Sequence, residues 1–138
     1  MTSLAVDFAD QVAAYLNGRQ VGAVTLPCVR KLIPDQDLAQ ARELRVIAVP
    51  HSLESRIAAR GGVKDRTVRV DVGVMKRATE GELEGLLGLT QEIGDLLEGH
   101  HFAGGLCVEV GYAPLYDSEI WLQQQCFFAV VVAKIKVY

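Results

Sequence analysis

The chain has 138 residues, half of them hydrophobic and 22% charged, with a formal net charge of −3. That length suits one domain able to bury a sizeable core without disulfides or metals, and the composition excludes wholesale disorder. The small negative charge does not imply nucleic-acid binding by the domain as a whole, and no apolar run reaches the ~18 residues of a membrane-spanning helix. Asp7 and Asp10 stand where a signal peptide would carry basic residues, so the expected place of synthesis and assembly is the cytosol.

Along the chain, Ser3 to Asn17 reads as an amphipathic helix with Leu4, Phe8, Val12, Tyr15 and Leu16 at helical spacing. Ser3 is the candidate cap, and Asn17-Gly18 supplies residues that tolerate the left-handed conformation at its end. Ala23 to Ile33 is expected to be extended, with Pro27 favouring an edge position. Pro34-Asp35 marks a turn, and Asp37 to Arg42 fits one helical turn. Leu44 to Val49 is a strand closed by Pro50. The following stretch, 51–65, holds Gly61-Gly62 and only scattered apolar residues, so it is expected to be a long, mobile, basic loop.

Arg66 to Met75 is the plainest strand. Val68, Val70, Val72 and Val74 share one face, and Thr67, Arg69, Asp71 and Gly73 the other. Thr79-Glu80-Gly81-Glu82 has the spacing of a capping box. It opens a helix to about Glu98 with an apolar stripe of Leu83, Leu86, Leu87, Thr90, Ile93 and Leu97. Gly85, Gly88 and Gly94 each cost about 1 kcal/mol relative to Ala inside a helix, which suggests close packing there. Two strands follow, Leu106 to Tyr112 and about Gln123 to Tyr138, separated by a turn region at Pro114 to Ser118. The last strand is apolar on both faces, as a central strand would be. The expected architecture is α+β: a single, mainly antiparallel sheet in one domain spanning 1–138, with two helices on one face and the order α-β-β-β-α-β-β.

Catalytic signatures are not found. Gly61-Gly62 and Gly104-Gly105 lie outside any phosphate-binding motif. His100-His101 point different ways at a helix end and read as solvated histidines rather than ligands. Cys28, Cys107 and Cys126 are odd in number and widely spaced, which reads as buried free thiols. No catalytic residue, metal or cofactor is expected, and an enzyme is the least favoured class.

Charge is distributed unevenly. Cys28 to Arg77 has eleven Lys or Arg against six Asp or Glu, a balance of +5. Ala78 to Ala133 has nine acids and no Lys or Arg, a balance of −9. A solvated helix accounts for many of these acids. The sharper reading is a head-to-tail contact between copies, with Arg56, Arg60, Lys64 and Arg66 on one side and Glu80, Glu84, Glu92 and Asp95 on the other.

The order of elements and several local patterns resemble the tail-terminator, or tail-completion, proteins of tailed bacteriophages and prophages. The resemblance covers most of the chain. It rests on the early Pro-Asp turn with Asp37-Leu38, then Leu44-Arg45-Val46-Ile47-Ala48-Val49-Pro50, and the basic stretch ending in Asp65-Arg66. It continues through Val68-Arg69-Val70-Asp71-Val72-Gly73-Val74-Met75-Lys76, the Leu-rich acidic helix, Pro114-Leu115-Tyr116-Asp117 and the closing strand with Phe127-Phe128. The resemblance implies a structural virion protein of the neck, usually a hexameric ring that caps the head-proximal end of the tail tube. Such a ring stops tube polymerisation and joins the tube to the head connector. Its implied partners are copies of itself, the tail-tube protein and the connector or stopper protein, with genome DNA passing through and no membrane or sequence-specific nucleic acid. The stretch 52–65 would reach toward neighbouring rings, and the acidic helix would lie outside or at a subunit boundary. The alternatives are another head-tail connector or stopper of the neck and, less favoured, a small metabolite-binding regulatory domain.

Overall fold

A computed structural model describes residues 3–33, 42–57, 62 and 64–138. The expected Pro34-Asp35 turn and most of the Asp37 to Arg42 helical turn lie outside the described residues, as does Arg60. Helix α1 spans Leu4–Leu16, and the short strands β1 (Gln20–Val21), β2 (Val24–Thr25) and β3 (Cys28–Arg30) follow. Two long strands come next, β4 (Arg45–Ile57) and β5 (Lys64–Arg77). A 3₁₀ turn at Glu80–Glu82 leads into α2 (Leu83–Leu97). The chain closes with β6 (His101–Phe102), β7 (Gly105–Tyr112), α3 (Ser118–Gln124) and β8 (Cys126–Val137).

The fold class is α+β. A six-stranded sheet has the order β3-β4-β5-β8-β7-β6, and β1 and β2 form a separate two-stranded ribbon. Every neighbour in the large sheet is antiparallel except β3, which runs parallel to β4. The observed element order therefore contains short strands and a third helix that the expected order lacks.

Alternation explains how the sheet is covered. Val68, Val70, Val72 and Val74 of β5 are fully buried and join Phe8, Val12 and Leu16 of α1 and Leu86, Ile93 and Leu97 of α2 in one large cluster. From β8, Phe127, Ala129, Val131, Ala133 and Ile135 enter the same cluster. The opposite face of the sheet supplies a smaller one, Ile47, Met75 and Cys126, with Ile120 of α3 and Phe128 packed on it. Strand β8 lies between β5 and β7 and contributes to both clusters, which accounts for its two apolar faces.

Helix ends are set by local chemistry. Glu82 accepts from the Thr79 N–H at 3.2 Å and from the Thr79 hydroxyl at 3.1 Å, so the reach-back of the capping box is present, one 3₁₀ turn ahead of α2. At the end of α1, Gly18 is left-handed with φ 79° while Asn17 is not. Asn17 instead accepts from the Cys28 N–H at 3.2 Å, tying the helix end to β3.

Three local expectations need correction. Gln123 and Gln124 belong to α3, not to the last strand. Asp117 accepts from the Ile120 N–H at 3.0 Å and starts that helix, and left-handed Gln125 (φ 55°) stops it. Within α2, Leu89 is buried and Leu83 and Leu87 only half-buried. Of the α2 glycines, Gly94 meets a neighbour, Tyr112, whereas Gly85 and Gly88 face open space.

Candidate interaction surface

The largest departure from expectation falls on the stretch 51–65. Its described residues form a β-hairpin, with β4 paired to β5 as far as Ile57↔Lys64. The sequence concealed this because the register shifts between Pro50 and Ser52, leaving His51 as an extra residue on β4. One extra residue reverses which face each later side chain occupies. Val49 and Ser52 therefore share a face, and the alternation of a strand that begins apolar is broken in the sequence.

This hairpin is an arm. Strand β8 pairs with β5 only as far as Thr67↔Lys136, and β3 pairs with β4 only over Val46 to Ala48. Beyond these points β4 and β5 have only each other among the described strands. On one face of the arm lie Leu53, Ser55 and Ile57 with Lys64 and Arg66. On the other lie Glu54, Arg56, Asp65 and Thr67. Leu53 is 46% exposed and Ile57 72%, so the arm carries apolar surface that the helices do not cover.

The four expected basic residues do not form one patch. Arg56 stands on the face opposite Lys64 and Arg66, and its guanidinium lies 3.6 Å from Asp65. Arg60 lies outside the described residues. Three bases and two acids over the described tip (Arg56, Lys64, Arg66; Glu54, Asp65) leave it at +1, weaker than the sequence balance suggests. The acidic set is also spread out, with Glu80 in the 3₁₀ turn and Glu84, Glu92 and Asp95 exposed along α2.

A second concave region lies on the sheet face opposite Val70, Val72 and Val74. Leu32, Ile47, Val49, Met75, Phe128 and Val130 line a cleft of about 290 Å³ whose rim carries His51 and Asp71. Asp71 is held on two sides: His51 Nδ1 lies 3.1 Å from Oδ2, and Arg69 donates to both oxygens at 2.8 and 3.3 Å. Farther along the same face, Lys134 approaches Glu109 at 3.7 Å. The cleft lining contains no thiol or hydroxyl, and its polar side chains are His51 and Asp71. Among the described residues no group of three or more His, Cys, Asp or Glu could hold a metal ion. No described helix is long and apolar enough to cross a membrane.

The remaining reactive side chains are engaged in packing. Cys28, Cys107 and Cys126 are buried and unpaired. Burial pushes the Cys28 thiol up to about 12 and Cys107 to about 11, and raises Cys126 as well. His100 departs from the solvated histidine expected: its ring stacks on Tyr15 at 3.7 Å and meets Phe102 edge-on at 4.6 Å. Burial, then the charges of Arg19 and His101, lower its pKa. His101 is exposed, with Nδ1 2.6 Å from the Tyr138 hydroxyl.

No protein-family model matches the chain, and no curated protein matches it.

Proposed function

We propose that the protein is a structural subunit that associates with copies of itself. More specifically, we read it as the tail terminator of a tailed phage neck, a ring that caps the head-proximal end of the tail tube and joins it to the head connector. The observation that carries the assembly reading is the β4–β5 arm. A two-stranded ribbon that leaves its sheet and exposes Ile57, with Leu53 exposed at its base, contributes little to the fold of its own monomer. Such a ribbon gains most when another chain covers it. The phage neck, as the particular assembly, is supported by the ordered set of sequence patterns from Leu44 to Phe128. In this reading the ring forms in the host cytoplasm and resides in the virion.

The close alternative is another connector or stopper of the same neck. Mixing the purified protein with isolated tail tubes and with portal-bearing heads, then imaging both, separates the two. A terminator decorates one end of each tube. Binding to heads alone would replace this reading with the connector.

A further inference from the structure

We infer that two copies join edge to edge, the β4 arm of one adding as a strand beside β7 of the next, so that the large sheet continues from subunit to subunit. This deepens the ring reading above by naming the contact, and it rests on that reading only for the expectation of self-association.

Among the described residues, the hydrogen-bond ladder shows which edges are open. Lys31 N–H donates to Ala48 O at 3.0 Å, which turns Ala48 outward toward β3 and fixes the phase of the β4–β5 ladder. Counting along β5, and allowing for the extra residue at His51, the N–H and C=O of Leu53, Ser55 and Ile57 point away from β5. No described strand pairs with them there.

The other edge of the sheet is open in a similar way. Strand β6 pairs with β7 only at Gly105 and Leu106, and Cys107 bonds through its backbone to Gly99 and His100. Gly111 pairs with Val132, which leaves the N–H and C=O of Val110 and Tyr112 facing outward. An open edge of this kind is a template for an added strand.

Direction, charge and offset select a second copy as the added strand. Strand β4 is antiparallel to β5, β5 to β8, and β8 to β7, so β7 runs opposite to β4. A copy repeated in the same sense therefore places its β4 antiparallel to β7 and continues the alternation. On the side of the sheet bearing the helices, the arm carries Lys64 and Arg66. The β7 edge there is flanked by Asp95 and Glu98, whose charges reach the Tyr112 hydroxyl. On the opposite side, Arg56 of the arm is matched by Glu109 of β7.

Setting outward-facing Ser55 opposite outward-facing Val110 offsets the two edges along the strands. Ser55 pairs with Arg66, which falls level with Val137 and hence Gly105, four register positions from Val110. Four positions at about 3.4 Å, across four strands spaced about 4.8 Å, correspond to a strand tilt of about 35°. Closed sheets tilt their strands by roughly 35–45°, so the offset suits a head-to-tail contact that closes into a ring.

The test uses proline at an outward N–H, where it blocks an added strand without removing a bond inside the monomer. Ser55→Pro disables the arm, and Val110→Pro disables the β7 edge. Sedimentation velocity is expected to show wild type associating and each variant alone as monomer, with circular dichroism unchanged. Mixed, the two variants form a heterodimer and nothing larger, since one live arm meets one live edge. Charge provides a second route that leaves the backbone intact. Lys64→Glu with Arg66→Glu, and Asp95→Lys with Glu98→Lys, each weaken self-association and restore it when mixed. Variants that assemble like wild type, mixtures that stay monomeric, or a wild type that is monomeric throughout would overturn the edge contact. Rings that persist in both proline variants would reject this contact while leaving the ring reading intact. Edge-dependent rings that ignore tail tubes would do the reverse.

Discussion

The Tyr112 hydroxyl fills the space over Gly94 where a methyl group would sit, and donates to the Gln91 carbonyl at 3.3 Å. Helix α2, with its row of acids, is thereby held against β7 at one edge of the sheet. Substituting Gly94→Ala would gain about 1 kcal/mol of helix propensity. Overpacking costs typically 1–3 kcal/mol, so a net loss of up to about 2 kcal/mol is expected. Urea denaturation with unchanged slope would measure it. A Tyr112→Phe background should recover part of the loss, because the hydroxyl is the first atom met.

Glu82 gives the stability a pH signature. The hydrogen bond from Lys76 at 2.7 Å, then those from the Thr79 backbone and hydroxyl, pull its pKa down from 4.5 to about 2. A depressed carboxylate contributes stability that is present above its unfolded value and lost as pH falls through its folded one. Thermal melts should therefore show a contribution that fades between about pH 4.5 and pH 2 and is missing in Glu82→Gln. Because the group is exposed, the effect should also weaken in high salt.

Thiol chemistry tests the buried core. With Cys28 pushed to about 12 and Cys107 to about 11, almost no thiolate exists at neutral pH. A chromogenic disulfide reagent should find no fast-reacting thiol in the native protein and three after denaturation. A fast native thiol would contradict the burial of these side chains.

The arm separates stability from association. Leu53→Asp and Ile57→Asp alter exposed positions, so the monomer should unfold within about 0.5 kcal/mol of wild type. Self-association should fall sharply, and more so in low salt, where the two acids face Glu98 and Asp95 of a neighbour.

Much of this fold could be read from alternation and spacing, and the failures have physical causes. Val68 to Val74 announced β5 because every second residue is buried by the helices. The arm was hidden because a single extra residue at His51 flips the phase, and because a ribbon beyond the core needs no apolar face. Helix α3 is not legible in this way, because Pro114 to Ser118 reads as a turn and the apolar strand that follows extends back over Gln123 and Gln124. His100 looked solvated because nothing local in the sequence places Tyr15 against its ring. The charge asymmetry was visible as a count, yet only pairing reveals that Arg56 faces away from Lys64 and Arg66. The matching of the arm to the β7 edge depends on strand register, which composition does not encode.

A protein proposed to end the growth of a tail tube is tested most directly by tube length. Tail-tube protein polymerised with and without the chain, then sized by electron microscopy, should give shorter tubes carrying density at one end when the chain is present. Tubes of equal length with bare ends, at chain concentrations well above the number of tube ends, would contradict that role.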